Sequence, residues 1–402
     1  MRGQILAQPS VLRALLAPRD DIGRIVGRLM GKARWLWAVG HGDSYFAAVA
    51  ASAGFQRFSP IPFAALLAQE AVAYPPDGAE GPGLVIAVSM SGGVGQTVAA
   101  AAAARARGAR VLVVTNTPTS RLADLADETI ALGIPEPVSF LSGTVTYTAS
   151  VVVLLLIAVG LGGNAAALAQ LRHAVEVLQD ATGSETGARE WTLIYSAAPI
   201  WYFLGMGPHM ATAHYGSAKL AEVADAVGIA HETEEFFHEH HWVVRPDHPV
   251  VVLTQDAPSR DRGERAVAHL RELNVPVCLV GSAPVAEGAG YLPVPAVADW
   301  CAPIVGAVPM QWIAYWLARA KGLDPDHRTH LIHDPRYTVS RRYRYRVAAA
   351  GHERHVGGGG NGEEAVDDLL GAPCGVLGCQ PRVFAGRARG GARDVQLRRP
   401  VG

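Results

Sequence analysis

The stretch from Leu84 to Asp127 leaves the chain few choices of architecture. Leu84-Val85-Ile86-Ala87-Val88 is an uncharged apolar run, the pattern of a strand buried on both faces of a parallel sheet. It ends in Ser89-Met90-Ser91-Gly92-Gly93-Val94-Gly95-Gln96-Thr97. An alanine-rich helix follows from Val98 to Arg107, stopped by Gly108, and a second apolar strand runs from Val111 to Val114. Strand, polar turn, helix and strand make one βαβ unit. The turn lies where a strand's C-terminal end meets a helix N-terminus. Free N–H groups point outward there, and the helix dipole favours an anion. Ser89, Ser91 and Thr97 add hydroxyl donors. The pattern suits a phosphate or carboxylate cradle. The same small residues would equally serve an ordinary, closely packed βα turn.

The pattern is used twice. Trp35 to Val39 reads as a short strand running into Gly40-His41-Gly42-Asp43-Ser44-Tyr45, and a small-residue helix follows. Leu36 to Tyr45 then matches Trp201 to Met210, Val85 to Gly93 matches Val250 to Pro258, and Val111 to Asn116 matches Val277 to Ser282. Such self-similarity marks a duplicated unit. The fold class is therefore α/β, with two tandem doubly wound parallel sheets and sites beyond the strand C-termini. The copies are not equivalent. The second replaces Ser-Met-Ser-Gly-Gly with Thr-Gln-Asp-Ala-Pro, losing glycines and gaining a negative charge. An anion is expected in the first copy only.

Around this repeat the rest of the chain is mapped as follows. Residues 1–33 form an N-terminal helical segment, 34–162 the first domain, 163–190 a linking helix and 191–340 the second domain. From 341 to 402 a basic Gly/Arg-rich tail is expected to be disordered, because it lacks apolar periodicity. The formal net charge of −1 gives no field that would recruit nucleic acid or anionic lipid over the whole surface. Val151 to Leu161 is the most apolar segment, but glycines interrupt its extension, so a buried core helix is expected rather than a membrane span. Met1 to Leu16 lacks the features of a secretory signal. The four cysteines, Cys278, Cys301, Cys374 and Cys379, show neither a disulfide framework nor zinc-ligand spacing. A cytoplasmic location is expected.

Four pieces of the chain carry a resemblance to a known family. They are Gly42-Asp43-Ser44-Tyr45; Ser89-Met90-Ser91-Gly92 with Asn116 and Ala126-Asp127 downstream; Gly216-Ser217-Ala218-Lys219-Leu220-Ala221-Glu222; and Glu235-Phe236-Phe237-His238. Together they resemble the sugar isomerase (SIS) domain pair over roughly residues 30–335. The likeness is to the isomerase half of glucosamine–fructose-6-phosphate aminotransferase and to relatives lacking the glutaminase. Those relatives are fructosamine-phosphate deglycases and amino-sugar-phosphate deaminase/isomerases. The resemblance implies flavodoxin-like domains and a sugar-phosphate substrate. It also implies a homodimer with shared sites, no cofactor, no DNA partner and no membrane partner. Glu222 would be the base that shuttles a proton between adjacent sugar carbons, and Lys219 would polarise substrate oxygens. His238 would open the ring from the neighbouring subunit. Gly42, Asp43, Ser44, Ser89, Ser91, Gly92, Thr97, Thr144 and His333 would contact substrate. Without the resemblance, Lys219 and Glu222 would read as a surface ion pair at i,i+3.

The departures from the family are specific. Val94 stands where the family has a phosphate-loop Thr, and Met90 where it has Gln. Asp43 replaces a hydroxyl residue. The serine of the next ligand loop falls on Gly143, beside Thr144. The imine-forming lysine of the aminotransferase falls on His333, and no glutaminase domain is expected. A non-catalytic sugar-phosphate-binding module, or an isomerase of an unphosphorylated or modified sugar, are the alternatives to an isomerase/deglycase-type enzyme. His238, His240 and His241 with Glu239 form a cluster, and in a strand His238 and His240 would share a face. The cluster lacks a supporting ligand from elsewhere in the chain, so no metal site is expected.

Overall fold

The computed structural model describes residues 1–17, 22–78, 81–135, 142–162, 164–284, 288–327, 330 and 334–336. They fall in one compact unit. His333 and the expected tail, with Cys374 and Cys379, lie outside the described residues.

Helices α1 (Arg2–Leu16) and α2 (Ile22–Met30) lead into the first half. That half consists of β1 (Leu36–Gly40), α3 (Asp43–Phe58), β2 (Phe63–Leu67), α4 (Ala68–Ala73), β3 (Leu84–Val88), α5 (Gly95–Ala106), β4 (Arg110–Thr115), β5 (Glu128–Ala131) and α6 (Val145–Gly162). The expected single linking helix is three: α7 (Ala165–Glu176), α8 (Leu178–Thr182) and α9 (Glu185–Ile194). Gly183 and Ser184 separate the last two, and the Ser184 hydroxyl donates to the Ala181 carbonyl. Such local bonding competes with helix continuation. The second half contains β6 (Ile200–Gly205), α10 (Pro208–Ala224), β7 (Val227–Glu232), β8 (Val250–Leu253), α11 (Ala257–Glu272), β9 (Val277–Gly281), β10 (Gly290–Pro293) and α12 (Ala302–Ala320).

Both sheets are five-stranded, parallel and wound in the same order. The first runs β2-β1-β3-β4-β5 and the second β7-β6-β8-β9-β10. Relative to chain order each is 2-1-3-4-5, the flavodoxin-like winding. Strands β1, β3 and β9 are buried at every residue, which is why they read as unbroken apolar runs. The edge strands β7 and β10 were not legible. Val227 is exposed and the rest of β7 is half-buried, so neither alternation nor an apolar run marks it.

One apolar core joins the two halves. Leu155, Trp201, Phe203, Trp300 and Met310 all belong to it. Helices α4 and α5 cover the outer face of the first sheet, where Ala100, Ala101 and Ala104 meet Val85, Ala87 and Val111. Helix α11 covers the outer face of the second, with Val267 and Leu270 against Val250 and Val252. Helices α6 and α12 are long and apolar enough to cross a membrane by composition. Here protein covers them, as expected for the segment Val151 to Leu161.

Candidate active site

The duplication shows first in two glycines. Gly42 has φ 54° and ψ −130°, and Gly207 has φ 57° and ψ −126°. L residues avoid this conformation, and each glycine turns its chain directly into a helix. Helix α3 therefore begins with Asp43 and Ser44, and α10 begins with Pro208 and His209. The two helices meet across the halves, where Phe46 and His214 stack with ring centroids 5.9 Å apart.

Lys219, on α10, is fully buried. Its ammonium donates to Asp43 Oδ2 at 2.8 Å, Ser142 Oγ at 3.1 Å and Glu222 Oε2 at 2.5 Å. An ammonium has three donors, so these partners occupy all of them. Ser142 in turn donates to Glu222 Oε2 at 2.8 Å. Burial disfavours the charged lysine, but Asp43 and Glu222 outweigh it and hold its pKa above the ordinary value. A buried cation is stable only with such partners.

A polar chain backs this cluster. Tyr215 donates to the Gly143 carbonyl at 2.7 Å and accepts from Gln311 at 3.1 Å. Gln311 accepts from Gln8 at 2.8 Å, and Gln8 accepts from Thr148 at 2.7 Å. Tyr147 stacks on Tyr215 at 3.8 Å, and burial pushes both phenols above their usual pKa. The Thr144 hydroxyl donates to Gln4 Oε1 at 2.9 Å.

Gly143 explains two departures at once. A Cβ there would lie 2.2 Å from Asp43 Oδ2. The Asp43 carboxylate occupies the space a side chain at 143 would need. The serine-to-glycine and hydroxyl-to-carboxylate departures are therefore sterically one exchange.

The β3–α5 loop presents different chemistry. The Ser89 and Thr97 hydroxyls are buried and have no protein hydrogen-bond partner. No side chain caps α5. Gly92 has φ +59°, and a Cβ there would lie 1.9 Å from Ser120 Oγ. Ser91 is exposed and accepts from the Gly93 N–H at 3.2 Å. Met90 packs against the core, and its sulfur lies 3.8 Å from Ser150 Oγ. In the second half the equivalent loop caps its own helix. Asp256 accepts from Ser259 N, and Ser259 Oγ accepts from Asp256 N at 3.2 Å, closing a capping box on α11; Ser259 Oγ also accepts from Gln255 N at 2.9 Å.

The structure thus brings together Asp43, Lys219 and Glu222 with Ser142. Ser89, Ser91 and Gly92 share the loop after β3, which neighbours β1 in the sheet, and Thr97 lies in the first turn of α5. Gly42 and Ser44 lie at the start of α3. His238 stands outside the Lys219 cluster of its own chain. It is exposed, with Nε2 3.6 Å from Glu234 Oε1. Its segment is not a strand. Single 3-10 turns span Glu235–Phe237 and His240–Trp242, so strand alternation does not govern where His238 and His240 point. Ser142 was missed by sequence reasoning, although it immediately precedes the position aligned with the family's serine. The described residues of metal-ligating type that cluster are His231, Glu239 and His240.

Two segments, residues 30–159 and 194–319, match the family model of the SIS domain, and the chain belongs to the SIS domain family. A glutamine–fructose-6-phosphate aminotransferase (isomerizing) of Gloeobacter violaceus is 30% identical over 358 residues, covering 82% of this chain and 57% of that protein. The chain spans about half the length of the curated relatives it matches. The C-terminal domain of the glucosamine-fructose-6-phosphate aminotransferase of Francisella tularensis has the same fold, with a TM-score of 0.73 at 19% identity over 80% of this chain and 96% of that one. The tagatose-6-phosphate ketose/aldose isomerase of Escherichia coli also shares it, with a TM-score of 0.69 at 19% identity over 83% and 96%.

Proposed function

We propose that the protein is an isomerase or deglycase-type enzyme acting on a sugar phosphate or amino-sugar phosphate. The observation that carries this reading is the buried Lys219 ammonium held between Glu222, Asp43 and Ser142. Aldose–ketose interconversion needs one base that takes a proton from a carbon beside the carbonyl and returns it to the neighbouring carbon. Glu222 has that role. Lys219 stabilises the negative charge that develops on the substrate oxygen. Its three donors are engaged, so a substrate oxygen must displace one partner. The Ser142 bond, at 3.1 Å, is the longest and is the one we assign to be exchanged. Ser89, Thr97 and Ser91 hold the phosphate at the N-terminus of α5, with Ser44 beside them. Relatives named as aminotransferase, deaminase and ketose/aldose isomerase support the substrate class.

The enzyme works as a homodimer in which His238 opens the sugar ring in the partner's site. Its exposure, and its place outside the set of Lys219 partners in its own chain, support this arrangement. The test mixes inactive Glu222→Gln subunits with inactive His238→Ala subunits after dissociation. With random exchange about half the dimers are mixed and each has one intact site, so activity returns to about a quarter of the unaltered level. No recovery under verified exchange contradicts shared sites.

A second reading rests on Asp43. Two carboxylates around one ammonium leave the cluster with an excess negative charge. That favours a substrate carrying an amino group or a free hydroxyl there, and opposes a second anion. A thermal-shift screen of phosphorylated and free ketoses, aldoses and amino sugars separates the readings. Stabilisation by phosphorylated sugars alone supports the first. Stabilisation by unphosphorylated amino sugars supports the second.

A further inference from the structure

Three ligand-type side chains outside the Lys219 cluster converge from two elements. His231 comes from β7, Glu239 follows the 3-10 turn Glu235–Phe237, and His240 opens the next one. One ligand atom from each lies within 4.8 Å of the others. Glu239 Oε2 is 3.6 Å from His240 Nδ1 and 3.9 Å from His231 Nδ1. The two imidazole rings are 4.2 Å apart between centroids. His240 Nδ1 is itself buried and has no hydrogen-bond partner. A buried nitrogen without a partner is a cost that native structures rarely carry unexplained. Here it faces a second imidazole and a carboxylate.

We propose that His231, Glu239 and His240 bind a divalent transition-metal ion of the zinc class. Two imidazole nitrogens and one carboxylate oxygen are a donor set used for zinc, with a fourth position left for water. Metal–ligand bonds of about 2.0–2.2 Å place tetrahedral donor atoms about 3.3 Å apart. Glu239 Oε2 lies within about 0.6 Å of that spacing from both imidazoles, a gap its half-exposed side chain can close by rotation, and the two imidazole nitrogens, within 4.8 Å of each other, close theirs by turning of the rings. Magnesium and calcium want more oxygen ligands than this cluster offers. His231 is the distant ligand that the His238–His241 run lacks when read along the sequence. The ion would tie β7 to the loop that carries His238. The assignment stands on these three side chains and does not depend on the reaction proposed above.

The test is calorimetric titration of the chelator-treated full-length chain with Zn²⁺, paired with the visible absorption of the Co²⁺-substituted protein. One ion per chain is expected, with the d–d bands of a four- or five-coordinate cobalt site. His231→Ala and His240→Ala should each weaken binding by more than the roughly 10–100-fold typical of changes outside the ligand set. Glu239→Gln, at a half-exposed position, gives the same readout without deleting a packed ring. His238→Ala and His241→Ala should leave the affinity within about threefold, since neither belongs to the set. Circular dichroism of each metal-free variant checks that it is folded. Absence of stoichiometric binding overturns the proposal. So does unchanged affinity in folded His231→Ala and His240→Ala chains, or an equal loss in His238→Ala and His241→Ala.

Discussion

The loops after β3 and β8 occupy equivalent places in two sheets of the same winding, yet they finish their helices in opposite ways. In the second half, Asp256 and Ser259 satisfy each other and the first turn of α11. In the first half no side chain caps α5, and the Ser89 and Thr97 hydroxyls are buried without protein partners. A helix N-terminus left open is a cost unless something else fills it. The difference teaches where the ligand belongs. One copy uses its polar groups to cap its own helix, and the other leaves them without protein partners, which is where the proposed function places the anion. The first helices diverge in the opposite sense. By the same repeat alignment, Lys219 and Glu222 of α10 fall opposite Gly54 and Arg57 of α3. In the proposed enzyme the first copy supplies the anion loop, and the second supplies the ammonium and the base.

The comparison breaks most sharply at Gly92, whose counterpart is Ala257. Gly92→Ala forces a Cβ toward Ser120 at a left-handed φ that costs about 1–2 kcal/mol in itself. Several donors move together, so affinity for a phosphorylated ligand should fall by more than about a hundredfold. Ala257→Gly should leave affinity unchanged. Isothermal titration with inorganic phosphate and hexose phosphates reads both, and equal effects would place the anion elsewhere.

Next in size is an exchange of signs between the loops. Ser89→Ala removes one hydrogen bond to a charged group, worth about 1.5–3 kcal/mol, so affinity should drop about ten- to hundredfold. It also removes a buried hydroxyl without a partner, so the ligand-free protein should unfold no earlier. Ser259→Ala should lower stability by about 1 kcal/mol through the lost cap and leave affinity intact. Urea unfolding alongside titration checks the pair. A stability loss in Ser89→Ala with no change in affinity would mean that this loop, too, is merely structural.

The last comparison sets Ser44 against its counterpart His209. Burial holds the His209 pKa at about 4, below the ordinary 6.5. The unfolded chain binds a proton near pH 6.5 while the folded chain stays neutral until about pH 4. Stability is therefore complete above pH 6.5 and falls as the pH drops toward 4. Between pH 7 and pH 5 this group alone should account for about 2 kcal/mol. His209→Gln should lose correspondingly less over that interval in urea unfolding. An identical pH dependence would show that His209 is protonated in the folded state.

Much of the architecture was legible because buried parallel strands are written as apolar runs. Leu84 to Val88 is unambiguous, and the repeat it anchors predicts two sheets of one winding. Strand β7 was not legible. An edge strand shields one side only, and Gly228, His231 and Glu232 leave no periodic trace. For the same reason nothing in the sequence links His231 to the histidines that follow Phe237. The Lys219–Asp43 pair joins residues 176 apart, a distance only the packing of α3 against α10 can close. From spacing alone Lys219 looked like a surface residue, yet it is fully buried. Ser142 and the steric exchange between Asp43 and Gly143 depend on side-chain volumes in three dimensions, which spacing does not encode.

The central claim is that Glu222 moves a proton between adjacent carbons of a bound sugar phosphate. The most direct test is exchange of substrate C–H protons with deuterated water, followed by NMR, for each hexose or amino-sugar phosphate that binds. The account predicts that the unaltered enzyme exchanges the proton beside the carbonyl. Glu222→Gln should bind the same sugar and exchange it about 10²–10⁴-fold more slowly. Undiminished exchange in Glu222→Gln, or none in the unaltered enzyme with any bound sugar phosphate, would contradict it.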